Sequence, residues 1–137
     1  MPIHDPFGLD LEKLSSLLDQ LPAAVSILDL DANLVYYSEN APNFVNRKPE
    51  FLGQDIRNCH KLQSSNEKID AMIEGFKAGS REPVSYIANP YGEDLRITIV
   101  PFIVDGTLIG CIQHVVKKES ELEKRVRGFK GSSGRGF

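Results

Sequence analysis

Residues 17–44, LLDQLPAAVSILDLDANLVYYSENAPNF, hold the reading that decides the fold. Leu17, Leu18 and Leu21 extend a stripe that starts at Leu14, and this i, i+3, i+4, i+7 spacing predicts an amphipathic helix over roughly residues 9–20. Pro22 stops it. AAVSILDL and NLVYYSE follow, two runs rich in β-branched and aromatic residues, joined by Asp31-Ala32-Asn33. Residues of that kind favour turns, so the two runs predict a β-hairpin.

The pattern breaks beyond residue 38. Residues 39–62 carry Pro42, Pro49 and Gly53 among short apolar groups, which predicts short helices and turns. Ile69, Met72, Ile73 and Phe76 then repeat the helical spacing behind a possible capping box, Ser64 with Glu67. They predict a helix over about 65–78 that Gly79 ends. Three β runs complete the body: PVSYIAN, DLRITIVPFIV and TLIGCIQHVV, with turn signals at Asn89-Pro90-Tyr91-Gly92 and Asp105-Gly106. Leu95, Ile97 and Ile99 alternate with Arg96 and Thr98, as a sheet with one buried face requires. Pro101 lacks an N–H and is expected at an edge or bulge. In KKESELEKRVRGF, a helix-prone run, Leu122 and Phe129 continue a seven-residue recurrence from Val115, the mark of a short coiled coil.

The order helix, β, β, short helices, helix, β, β, β, helix predicts an α+β domain. Its frame is a five-stranded antiparallel sheet with the 39–78 segment laid over one face and helices flanking it at both ends. The expected organisation is a helical cap at 1–21, a core at 22–116, and a C-terminal signalling helix with a flexible basic tail at 117–137.

The chain has 137 residues, 41% of them apolar, which is enough for one core and too few for two. It has no apolar run long enough to span a bilayer and no secretion-signal layout at its start, so it reads as cytoplasmic. Residues 117–137 hold seven basic and three acidic side chains, leaving residues 1–116 with nine basic and sixteen acidic, a net −7. A body of that charge repels phosphate backbones, so nucleic acid is not an expected partner. Cys59 and Cys111 lie 52 positions apart without a CxxC pair, which argues against a disulfide framework and a structural zinc site.

Taken together, LLDQLPAAVSILDLDANLVYYSENAPNF, the step FLGQDI and the run DGTLIGCIQHV resemble the PAS family over about residues 14–116. The run Asn58-Cys59-His60 before the long helix is most similar to the PAS module of bacterial proteins that also carry a hemerythrin-like domain. Two prolines often follow there, where this chain has Lys61-Leu62. The resemblance implies a sensory fold with a pocket between sheet and helices, flanking helices coupled to a partner or a second copy, and an output domain that these residues do not encode.

By that resemblance His60 lies at the pocket mouth, where its imidazole would ligate a heme iron, making it the one candidate metal ligand. The plainer alternative is a hydrogen bond from His60 to a nearby backbone carbonyl. The segment NCHKLQ also resembles the NCRFLQ signature of flavin-binding LOV photoreceptors, with Gln113 in a place like their flavin-contacting glutamine. Counting goes against flavin: the reactive position, three residues after Leu52-Gly53, is Ile56, and Cys59 comes three later. Candidate pocket residues are therefore His60, Cys59, Ile56, Ile69, Met72, Ile73, Phe76, Ile97, Cys111 and Gln113, and a fatty acid or other apolar molecule is the alternative to heme.

The spacing alone allows the stripe of α-helical apolar residues to be plain core. Cys111 alternates with Ile109 and Gln113, and Gln113 orients a ligand if this face is inward or meets solvent if it is not. Tyr36, Tyr37 and Tyr86 either offer hydroxyls to a ligand or serve as strand aromatics. No GxSxG, HExxH or P-loop is present, and His4, His60 and His114 are scattered, so no enzyme is expected. The runner-up is a purely structural dimerisation domain with a filled interior. A homodimer is expected through the first helix, by whichever of Leu9, Leu11 and Leu14 is left uncovered, and the outer sheet face.

Overall fold

A computed structural model describes residues 7–59, 63–89 and 92–118. The first helix, α1 (Leu11–Asp19), opens at Asp10, whose carboxylate accepts from the Lys13 backbone N–H and satisfies one of the donors that a helix start leaves open. The hairpin of β1 (Ala24–Asp29) and β2 (Leu34–Tyr37) follows. Its turn is organised by Asp29, whose carboxylate accepts from the backbone N–H groups of Asp31 and Asn33 and from the Asn33 side chain. Ala32 takes a left-handed conformation there, with φ 67°.

Single 3-10 turns at Ala41–Asn43, Pro49–Phe51 and Ile56–Cys59 form an arm that leads into α2 (Gln63–Lys77). The arm is tied to β2, since Leu34 N–H donates to the Gln54 carbonyl and Gly53 N–H to the Leu34 carbonyl. Because α2 starts at Gln63, Ser64 lies inside the helix and is not its cap. The remaining strands are β3 (Val84–Ala88), β4 (Leu95–Val104) and β5 (Thr107–Lys117).

All five strands pair antiparallel in the order β2-β1-β5-β4-β3, so the last strand lies in the middle of the sheet. Asp105 and Gly106, with φ 50° and 78°, make the tight β4–β5 turn that an Asp-Gly pair favours. Pro101 stands two residues beyond Ile99, the last β4 residue paired with β3, so β4 is single-sided where the proline falls. Just past it the register slips between Phe102 and Ile103, and Ile109 is left without a partner. That bulge corrects one expectation: Ile109 is 45% exposed while Cys111 and Gln113 point inward. Next to it, Gly110 passes so close to β1 that a Cβ would run into the Leu28 carbonyl.

The inner face of β1, β4 and β5 packs under the arm and α2, with Leu28, Leu34, Ile56, Ile69, Phe76, Leu95, Ile99 and Val115 among the core side chains. Val115 is thus a buried strand residue, which removes the first position of the expected coiled coil. Leu122 and Phe129, like the rest of the C-terminal segment, fall outside the described residues. The α1 helix lies on the opposite side: Ser15 shares a hydrogen bond with Tyr36, and Tyr36 pairs across the strands with outward-facing Ile27. None of its residues is buried, and Leu9, Leu11 and Leu14 are 43%, 84% and 46% exposed. Among the described residues no helix is long and apolar enough to cross a membrane.

Candidate functional site

Alternation brings Ala24, Ser26 and Leu28 of β1 to the inner face, next to Cys111, Gln113 and Val115 of β5. Ser26 pairs directly with Gln113, and Gln113 with Ile99 on its other side. Gln113 is therefore turned inward, 4% exposed, and the question of its side is closed. Opposite it the arm delivers Arg47, also 4% exposed. Its Nε donates to the Ser26 hydroxyl at 3.1 Å, its Nη2 to Gln113 Oε1 at 2.6 Å, and its Nη1 to the Asn46 carbonyl at 2.9 Å. A polar island thus sits in an otherwise apolar interior, and it holds a positive charge, because arginine stays protonated at any ordinary pH.

Around the island, Ile56, Ile69, Met72, Ile73, Phe76, Ile97 and Cys111 are all buried in one cluster, as a shared pocket wall or a shared core requires. Burial and the charge of Asp29 push the Cys111 thiol up to about 11, so it stays neutral and unreactive near pH 7. Cys59 ends the Ile56–Cys59 turn; its side chain, and the whole of His60, lie outside the described residues. Tyr37 and Tyr86 pack against the cluster, while Tyr36 faces the other way, toward α1. Lys68 Nζ lies 4.4 Å from the Tyr86 ring centroid, and burial raises the Tyr86 hydroxyl above its usual range.

Arg57 offers a contrast at the surface. Its guanidinium bonds the carboxylates of Asp55 and Asp70, linking the arm to α2. The Arg57 hydrogen bond holds the Asp55 carboxyl below its ordinary range, and the bond to Asp55 raises Arg57 in turn. These groups border a cleft of about 380 Å³ whose lining includes Ala32, Ile73, Glu74 and Lys77, so its wall reaches the core at Ala32 and Ile73. Among the described residues no three His, Cys, Asp or Glu side chains gather into a metal site.

Arg47 and Ser26 are the site residues that sequence reasoning missed. Ser26 had a signal, a polar side chain at an inward step of an alternating strand. Arg47 had none, since it sits in a polar run before Pro49 and gathers partners 21 and 66 positions away.

A PAS domain family model matches residues 14–117, from α1 to the end of β5. The chain belongs to the PAS domain family. Solved structures share the PAS fold. A C-terminal domain from Streptococcus mutans superposes with a TM-score of 0.67 at 23% identity, over 82% of this chain and 90% of that one. The PAS domain of Bordetella pertussis BvgS does so with 0.62 at 19% identity, over 89% and 97%. The PAS domain of the Cronobacter turicensis quorum-sensing receptor RpfR, solved in complex with BDSF and with C12:0, gives 0.57 at 14% identity, over 73% and 97%. No curated protein matches the chain.

Proposed function

We propose that this PAS domain is a cytoplasmic sensor module that takes a small apolar molecule between the inner sheet face and the arm. Its work is recognition, not catalysis, and the signal leaves through the segments at its two ends toward an output domain or a second copy. The observation that carries this reading is Gln113 with Ser26, two polar side chains turned into an otherwise apolar interior, where such groups serve to orient a ligand. The complex of the RpfR PAS domain with C12:0 supports the choice of an apolar ligand. The cleft at Ala32 and Ile73 is the proposed way in. The Asn58-Cys59-His60 run favours the hemerythrin-linked branch of the family, with His60 as the heme ligand if a heme is the occupant.

Native mass spectrometry and a visible spectrum of the protein as purified test this reading together. An added mass that departs on denaturation is the expected result. A heme occupant requires a Soret band on adding hemin that His60→Ala removes. Protein that carries no added mass and takes up neither hemin nor fatty acid is the scaffold instead. The proposed dimer forms through the uncovered leucines of α1, and a monomeric elution at high concentration would count against it.

A further inference from the structure

The two walls of the cleft at Ala32 and Ile73 are held in different ways. The hairpin turn and the arm form one wall and are locked together by backbone: Ile56 N–H donates to the Ala32 carbonyl at 2.8 Å, and Asn33 bridges to Asp55. The other wall is α2, through Asp70, Ile73, Glu74 and Lys77. Of its charged side chains there, Glu74 and Lys77 pair with one another, and Asp70 reaches across to Arg57. Arg57 directs its remaining donors to the first wall, Nε to Asp55 at 2.7 Å and Nη2 to Asp55 and to the Asp31 carbonyl at 3.3 Å. One guanidinium thus joins hairpin, arm and α2 at the opening. The join is partly exposed, with the Arg57, Asp55 and Asp70 side chains 36%, 32% and 52% accessible. Ion pairs so placed are weak and are screened by salt, so they break and re-form more readily than the apolar packing beneath them. Behind the join stand Ala32 and Ile73 of the core, and Cys111 belongs to the same cluster. Cys111 pairs across the strands with Leu28, two residues before Leu30 of the cleft.

We propose that Arg57 is the latch of this entrance: it holds α2 against the hairpin and the arm, and its release sets how fast small apolar molecules pass between solvent and the interior. This rests on the reading above that the interior takes a ligand through the cleft, and it adds what controls the passage. A latch at the rim does not touch a seated ligand. It therefore changes the rates of entry and exit by the same factor and leaves the affinity alone. Because the latch is made of ion pairs, exchange through it quickens as the salt concentration rises.

The buried Cys111 thiol makes passage measurable without a known ligand. In the full chain carrying Cys59→Ser, Cys111 is labelled with dithiodipyridine, an uncharged aromatic disulfide, and the rate is read from the absorbance of the thiopyridone released. Arg57→Gln is expected to speed labelling about three- to tenfold, the factor that corresponds to losing weak exposed ion pairs. Asp70→Asn, which cuts the link to α2 and keeps the arm's own pair, is expected to give most of that gain. Raising salt from about 0.05 M to about 1 M should speed labelling of the parent and leave Arg57→Gln unchanged. Asn40→Ala, which loosens the link between α1 and β1 on the other side of the sheet, should leave the rate as it was. If Arg57→Gln does not melt cooperatively, Asp70→Asn decides alone. Labelling that is equally slow, or absent, in the parent and both latch variants overturns the proposal, and so does an equal acceleration in Asn40→Ala, which would mean that general loosening exposes the thiol. Either failure leaves the ligand reading standing, since that reading falls only if the protein as purified carries no added mass and takes up neither hemin nor fatty acid.

Discussion

The α1 and α2 helices carry the same apolar spacing and meet opposite ends. In α2, Ile69, Met72, Ile73 and Phe76 are 2%, 7%, 5% and 2% exposed; the matching Leu14 and Leu17 of α1, and Leu21 just past its end, are 46%, 51% and 43% exposed, with Leu18 half-buried between them. The cause is topological. The arm carries α2 across the inner face of the sheet, where the chain supplies its own cover, whereas α1 runs along the outer side near Tyr36. A 3.6-residue period thus shows that a helix has an apolar side, but what covers that side depends on where the connections lead. For α1 the cover proposed above is a second copy of the chain.

Four substitutions break or sharpen this contrast. Phe76→Ala removes a sealed side chain and should cost about 3–5 kcal/mol in urea denaturation, and a loss under about 1 kcal/mol would mean that α2 is not sealed at all. Asn40→Ala comes next. The Asn40 amide donates to the Leu21 and Ala23 carbonyls and its oxygen accepts from Ser38, so it pins the link between α1 and β1. Its loss should cost about 1–2 kcal/mol and speed hydrogen exchange in α1 before the sheet.

Asp55→Asn tests the outer tether of α2. The pair is partly exposed, with side chains 32% and 36% accessible, so the expected cost at pH 7 is small, about 0.5–1 kcal/mol. Because Arg57 lowers the Asp55 carboxyl in the folded state, its contribution is present above the unfolded value near 3.8 and is lost as the pH falls through the lower folded value. The wild type and the variant should therefore converge in acid melts, and a gap that widens below pH 3.8 would contradict the assignment. Leu17→Ala is the smallest in stability, within about 0.5 kcal/mol for the monomer. Its effect should appear in sedimentation as weaker self-association, and unchanged association would move the dimer contact elsewhere.

Much of this frame was legible in the residues. The alternation of Leu95, Ile97 and Ile99, the Asp105-Gly106 turn and the period of α2 are local signals, and local signals survive folding. What escaped depends on distance along the chain. The side of Gln113 is set by a one-residue slip at Ile109, which no count outward from the turn would reveal, and the same slip exposes Ile109. Val115 began an expected heptad because a single apolar residue at the end of a strand reads, in sequence, like the first position of the helix-prone run that follows it. Arg47 was invisible because its burial is a property of its partners Ser26 and Gln113, far away in the chain.

Ala24 and Val115 stand opposite one another in adjacent strands, so the chain runs into the sheet and out of it at the same end. The two crossing points are roughly 5 Å apart, the spacing of neighbouring strands. Joining them with a short linker and opening the chain at Asp105-Gly106 should give a circular permutant that still folds. By the same geometry the domain can be grafted as a cassette into a surface loop of a host protein, whose two cut ends it would bridge without prying them apart.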